Sequence, residues 1–345
     1  MTYLEREINE QPDVIQGLLS LEMETARRIG TAIRDFDPAF VSIAARGTSD
    51  NAGRYAQYLF GIHAGLPVAL ATPSIHTLYD SPPNLGRALV IGISQSGQSE
   101  DVRQVITDAR AQGALTVSIT NTVGSPLDEA AEYQLPLHAG EEISVAATKS
   151  YTAQLTAIAM LVTAVTEKED LQAELARLPA YITETLRLAD PISGWIERYR
   201  YMERFVALGR GYNYCTAFEI SLKIKELCYV IGEEYSEADF RHGPIAVIQP
   251  GFPAIVVAPS GETLSVLLDL LKQLNERRAE CIVISNDETA CTYGQKFIFL
   301  PKTMPEWLSP VAAVVPGQLF ALRLAEVKGH TVDQPRGLTK VTNTK

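Results

Sequence analysis

The chain has 345 residues, enough for two domains or one large one, and its 41 acidic against 30 basic residues leave a net charge of −11. That charge, with no basic stripe, excludes a nucleic-acid backbone as the main partner, whereas a single local loop can still bind a small anion. With 46% hydrophobic and 21% charged residues, the composition is that of an ordinary folded globule, not of a disordered chain.

Residues 1–28 are rich in helix formers and read as a helical arm. The opening "MTYLEREINEQPD" is acidic and lacks an apolar core, unlike a signal peptide. A first domain is expected over residues 29–165. Its first strand lies in "FVSIAARGTSDN", where Gly47 makes a turn and Thr48 and Ser49 open a helix. A later apolar strand, "RALVIGI", runs into "SQSGQS", Ser94 to Ser99, ahead of a helix pattern beginning at Glu100. A helix N-terminus presents unpaired N–H groups and a partial positive charge, and Gly97 lets the backbone approach a ligand closely. Ser94, Gln95, Ser96 and Ser99 add donors without the bulk of a lysine. The lysine of GxxxxGK[ST] is absent, which argues against a nucleoside triphosphatase. One serine alone would be an ordinary cap; the cluster, beside a second hydroxyl-rich turn at Thr48-Ser49, reads as a phosphate seat. The apolar "YTAQLTAIAMLVTAV" falls short of the roughly 20 residues a membrane span needs, so it reads as a buried helix and no membrane partner is expected.

Residues 166–200 read as linker helices and residues 201–325 as a second domain. In "SLKIKELCY", Lys223 and Glu226 are three apart and share a helix face. Their neighbours Leu222, Ile224, Leu227 and Cys228 are apolar, which argues for a buried pair suited to proton transfer instead of a surface ion pair. His242, in "FRHGPIAVI", precedes a rigid Gly-Pro turn and then an expected apolar strand. It is presented by a constrained loop, whereas His63, His76, His138 and His330 read as structural. Residues 326–345 form a polar tail in which Pro335 and Gly337 suggest a fixed path, able to deliver Lys340 into a cleft. Cys215, Cys228, Cys281 and Cys291 show no CxxC pairing. They are expected to be reduced and mostly buried, as in a cytoplasmic protein, and no metal or organic cofactor is expected.

The two domains repeat one another. Arg46-Gly47 and Arg210-Gly211 are offset by 164 residues, and so are Ser96-Gly97 and Ser260-Gly261. The strands "LTVSITN" and "ECIVISND" follow within one residue of that offset. Three matches in register imply a duplicated α/β fold, two tandem doubly wound domains with parallel sheets.

The stretches "RGTSDN", "SQSGQSED", "SVAATKSY", "SLKIKE", "RHGP" and "DQPRGLTK", in this order, resemble the sugar isomerase (SIS) family from about Phe40 to Lys345. Within it they are most similar to the isomerase half of glucosamine-6-phosphate synthase and to stand-alone SIS-type glucosamine-6-phosphate deaminases. The resemblance implies flavodoxin-like domains and assigns roles by position. Thr48, Ser49, Ser94, Gln95, Ser96 and Ser99 would hold a sugar phosphate, and Val145 would touch the sugar through its backbone. Glu226 would move a proton between C1 and C2, His242 would assist ring opening from the neighbouring subunit of a homodimer, and Lys340 and Lys223 would lie against the open-chain sugar. Ala147 stands where the synthase pattern has a serine, and "SGQS" with "VAATKSY" looks more like the deaminase branch. The glutaminase domain of the synthase has no counterpart at "MTYLERE", so release of ammonia from glucosamine 6-phosphate is the expected direction. The alternatives are another SIS activity, on a fructosamine phosphate, on galactosamine 6-phosphate or as an aldose–ketose isomerase, and a non-catalytic sugar-phosphate sensor.

Overall fold

The structure is a computed structural model describing residues 1–340. It divides into two compact modules. The N-terminal module comprises residues 13–142 and 149–177 with the end of the tail from Thr339, and the C-terminal module residues 1–12, 143–148 and 178–338.

The N-terminal module is built on five parallel strands, β1 (Phe40–Ala44), β2 (Val68–Leu70), β3 (Ala88–Ser94), β4 (Leu115–Thr120) and β5 (Tyr133–Pro136), in the order β2-β1-β3-β4-β5. Every residue of β3 and β4 is buried, because a parallel sheet is covered on both faces and its central strands are apolar on both. The helix Glu100–Ala111 buries Val102, Val105, Ile106 and Ala109, at helical spacing, in a cluster with Ala44, Ala88 and Val90. The helix Lys149–Thr166, which contains the 15-residue apolar stretch of the sequence, is buried over nearly its whole length.

The C-terminal module repeats the plan with β6 (Arg204–Gly209), β7 (Ile231–Ser236), β8 (Pro253–Val257), β9 (Glu280–Ser285) and β10 (Lys296–Phe299), ordered β10-β9-β8-β6-β7 and all parallel. Read from the β7 edge this is the same order as in the first module, so the duplication reaches the topology itself. Leu267, Leu270, Leu271 and Leu274, on the helix Leu264–Glu276, share a core cluster with Val256 and Val283. The segment Glu306–Val327 is long and apolar enough to cross a membrane, yet 89% of its apolar window is buried inside the protein, as in a core helix. Gly317 on that helix allows close packing, since a Cβ there would meet Ile220 at 2.3 Å.

Three local features depart from the sequence expectation. The arm is a short helix, Tyr3–Asn9, followed by a 26-residue helix, Gln11–Phe36, that continues into the N-terminal module. Of the segment between the domains, the helix Glu169–Leu175 belongs to the N-terminal module and the helix Leu178–Ala189 to the C-terminal one. The strand expected straight after "RHGP" is a 3₁₀ turn, Pro244–Val247, and β8 begins only at Pro253. Pro244 presets a turn conformation that leaves Ala246 and Val247 exposed while Ile245 and Ile248 pack on the core of the C-terminal module, so the apolar look of "IAVI" reflects core contacts made from a turn and not from a strand.

At the start of β9, Glu280 is buried and accepts hydrogen bonds from Arg198 Nε and Nη2, both at 2.8 Å, and from the Tyr199 hydroxyl at 3.0 Å. The Arg198 bonds hold its carboxyl below the ordinary 4.5, against the opposing effect of burial. A depressed folded-state value stabilises the fold above the unfolded value and loses that contribution as acid protonates the folded carboxylate. Glu280→Gln is therefore expected to lower Tm at neutral pH and to flatten the loss of Tm below pH 4.5. Thermal scans from neutral to acid pH check this; parallel curves for the two proteins would contradict it.

Candidate active site

In a sheet ordered like that of the N-terminal module, the connections leave β1 and β3 toward opposite faces, opening a crevice at their carboxyl ends. Both hydroxyl-rich turns stand there. After β1, Gly47 (φ 54°) leads into the helix Thr48–Leu59, on which Ser49 is buried and accepts a hydrogen bond from Gln154 Nε2 at 3.0 Å. After β3, Ser94 Oγ accepts from the Gly97 N–H at 3.1 Å and lies 3.5 Å from Ser99 Oγ, while Ser96 Oγ accepts from the Gln98 N–H at 3.3 Å. The Gln95 carbonyl accepts from the Asn121 N–H at 3.1 Å, tying this turn to the end of β4. The hydroxyls and amides of the turn thus converge around Gly97, ahead of the helix Glu100–Ala111.

Gly97 is required there twice over. Its φ is 64°, and a Cβ would stand 2.1 Å from Ser125 Oγ. A non-glycine residue in this conformation costs about 1–2 kcal/mol before any clash. Gly97→Ala is expected to weaken sugar-phosphate binding about tenfold, ~1.4 kcal/mol, by deforming the turn. Titration calorimetry on a folded variant measures it, and unchanged affinity would contradict the placement of the phosphate.

Three residues of this crevice are not legible as site residues from the sequence. Arg46 Nε donates to the fully buried carboxylate of Asp101 at 2.7 Å, clamping the turn after β1 to the first turn of the helix after β3. Burial raises the Asp50 carboxyl above its ordinary 3.8, against the pull of Arg54 and Arg46. Only the repeated Arg-Gly dipeptide hinted at Arg46.

Lys340 is also held in the N-terminal module. Its Nζ donates to Glu142 Oε2 at 2.8 Å, and the buried Glu142 carboxylate also accepts from the Ser150 N–H at 3.1 Å and hydroxyl at 2.7 Å. The tail lysine is thereby anchored to Glu142.

In the C-terminal module, Lys223 and Glu226 lie on the helix Tyr214–Cys228 and their charges meet at 2.6 Å. Lys223 is 1% exposed, and the fully buried Glu219 carboxylate stands 3.4 Å from its Nζ. The ammonium is flanked by two carboxylates, each about one turn from it along the helix, and the Lys223–Glu226 approach is a contact of charges without hydrogen-bond alignment. Glu226 therefore keeps an oxygen free of hydrogen bonds and open to a proton. Glu219 was missed in the sequence, although its spacing of four from Lys223 puts it on the same face.

His242 caps the helix Glu237–Arg241 and is exposed, held by its N–H to the Asp239 carbonyl at 3.1 Å. Val145 and Ala147 lie on the loop 143–148. That loop is fixed from below by the buried Glu7 carboxylate, which accepts from the Ile143 N–H at 2.5 Å and from the Ser144 hydroxyl, and the Val145 N–H donates to the Asp333 carbonyl at 3.1 Å. Among the described residues no group of three or more His, Cys, Asp or Glu is arranged to hold a metal ion.

The SIS domain model matches residues 41–164 and 200–327. The chain is 36% identical to glutamine–fructose-6-phosphate aminotransferase [isomerizing] of Aquifex aeolicus over 341 residues, 98% of this chain and 57% of that protein. It spans little more than half the length of such relatives. Among solved structures, one from Silicibacter pomeroyi described as a phosphosugar isomerase is 31% identical, with TM-score 0.87 over 96% of this chain and 99% of that one. The C-terminal domain of glucosamine-fructose-6-phosphate aminotransferase from Francisella tularensis is 27% identical, with TM-score 0.87 over 97% of this chain and 98% of that one. Two matched stretches at the duplicated offset, each folded as a five-stranded flavodoxin-like sheet, place this chain in the SIS family, with two SIS domains in tandem.

Proposed function

We propose that the chain is a phosphosugar isomerase that carries its reaction through to deamination, converting glucosamine 6-phosphate and water to fructose 6-phosphate and ammonia. The observation that carries this reading is the Glu219–Lys223–Glu226 triplet, a buried ammonium between two carboxylates on one helix. The phosphate would be held by Thr48, Ser49, Ser94, Gln95, Ser96 and Ser99, and Val145 would meet the sugar through its backbone. His242, contributed by the partner of a homodimer, would help open the pyranose, and Lys340 would lie against the open chain.

Glu226 takes the proton from C2 of the open-chain amino aldose, giving a 1,2-enolamine. Return of a proton to C1 leaves a ketimine at C2. Water adds to that carbon and ammonia departs with a proton, leaving the ketose. General acid–base groups suffice for every step.

All four cysteines are free and buried, and burial pushes the thiols of Cys228 and Cys281 up to about 12 and that of Cys291 up to about 11. They remain protonated and are poor nucleophiles, so these thiols are not suited to release ammonia from glutamine. The free thiols also fit the cytoplasmic location that belongs to this proposal.

Ammonia release from glucosamine 6-phosphate, run beside galactosamine 6-phosphate, a fructosamine phosphate and simple aldose phosphates, is the test. The highest kcat/KM is expected for glucosamine 6-phosphate. A higher value for another member reassigns the substrate, and binding of all of them without turnover would make the protein a sensor.

A further inference from the structure

The duplicated fold gives the C-terminal module its own switch-point crevice, between the turns that follow β6 and β8. Gly211 (φ 59°) repeats Gly47 (φ 54°), and Ser260-Gly261-Glu262-Thr263 repeats Ser96-Gly97-Gln98-Ser99 ahead of the 13-residue helix Leu264–Glu276. By topology this crevice would be the second place in the chain to seat an anion.

It already contains one. The carboxylate of Glu306, more than 40 residues further along the chain, accepts from the Glu262 N–H at 2.9 Å, the Thr263 N–H at 3.3 Å and the Thr263 hydroxyl at 2.7 Å. Its side chain fills the space beside Gly261, where a Cβ would stand 2.3 Å from the Glu306 carboxyl group. The turn after β6 closes the other side, because a Cβ on Gly211 would meet Thr263 Cγ2 at 2.9 Å. The root of the plug is anchored: Ser309 Oγ donates to the Glu306 carbonyl at 2.6 Å and accepts from Asn213 Nδ2 at 2.6 Å. The Tyr212 phenol, beside Gly211, is raised by burial and further by the Glu306 charge, which places that charge at the crevice.

The N-terminal module supplies the control. Each module carries a glutamate between its last strand and the long helix that follows, Glu142 ahead of Lys149–Thr166 and Glu306 ahead of Ser309–Val327. Glu142 turns to Ser150 and Lys340, while among the described residues the Gly97 and Gln98 amides of "SQSGQS" are met by the short hydroxyls of Ser94 and Ser96, which can rotate aside. The segment after the last strand thus points a carboxylate into the turn in one module and away from it in the other.

We propose that Glu306 is an internal substitute for phosphate, three donors on one side-chain carboxylate, which closes the C-terminal SIS domain to phosphosugars and leaves the chain with one phosphate seat instead of two. The count of one rests on the reading of the "SQSGQS" turn as a seat; the plug does not. Removing the carboxylate converts the second crevice into a site for a phosphate monoester or inorganic phosphate.

The experiment is titration calorimetry of the full chain with inorganic phosphate, against chloride at equal ionic strength. The wild type is expected to bind one phosphate, and Glu306→Ala two, with a larger phosphate-dependent rise in Tm. Adding Thr263→Val to Glu306→Ala removes one donor and is expected to weaken the new site. If the wild type binds none while Glu306→Ala binds one, the plug stands and the reading of the first turn fails. No gain in a folded Glu306→Ala protein, or two sites already in the wild type, overturns the plug. Should Glu306→Ala not fold, Glu306→Gln keeps the length and removes the charge, and the same gain or its absence decides.

Discussion

Glu226→Gln is expected to abolish turnover of the amino sugar phosphate while leaving its binding in place. The amide keeps the size of the carboxylate and loses its capacity to take a proton from C2. Removing a positioned general base costs typically 10²–10⁴-fold in rate, about 3–5 kcal/mol of activation free energy. The effect should fall on kcat, with little change in KM, because the phosphate is gripped elsewhere. The fold should survive, since Lys223 retains the Glu219 carboxylate at 3.4 Å. Steady-state ammonia release with calorimetric binding of the product ketose phosphate separates the two quantities. Full activity in the variant would end the assignment of Glu226 as the base, and loss of binding along with turnover would make its role structural.

Glu7→Ala is expected to give the largest stability loss of the single substitutions considered. Glu7 is fully buried, on the helix Tyr3–Asn9, and its carboxylate receives the Ile143 and Ser144 N–H groups and the Ser144 hydroxyl. Truncation strands these donors away from water at a cost of about 2–3 kcal/mol. The same helix is tied to the tail, because the Asp333 carboxylate accepts from the Tyr3 and Leu4 N–H groups and its carbonyl accepts from Val145. Loosening Glu7 therefore disturbs the loop that presents Val145. A drop in Tm should accompany a fall in kcat/KM, and Glu7→Gln should recover part of both. A variant as stable and active as the wild type would show that the loop needs no support from the arm.

The duplication was legible because βα turns are signalled locally: an apolar run, a glycine, then hydroxyls opening a helix. Those signals sit at the same offset in both halves, and the strand order β2-β1-β3-β4-β5 recurs in the second sheet as read from β7. The buried face of the helix carrying Lys223 was legible for the same reason, since helical spacing groups Lys223 with its apolar neighbours. Where local composition misled, as in "PIAVI", the apolar residues Ile245 and Ile248 reach the core from a turn whose φ is preset by Pro244, not from a strand.

The sequence by itself thus determined the class of sheet, its repetition and the strand ends that carry hydroxyls, all of them consequences of local periodicity and turn chemistry. Only tertiary structure decided which charges answer one another. Arg46 pairs with Asp101 across 55 residues, Glu7 with Ser144 across 137, and Lys340 with Glu142 across 198. Tertiary structure also decided that the glutamates in the two corresponding connections face different ways, Glu142 toward Ser150 and Glu306 into the turn after β8. The physical reason is that a buried carboxylate must be met by donors, and which donors reach it is fixed by packing, which no run of neighbouring residues encodes.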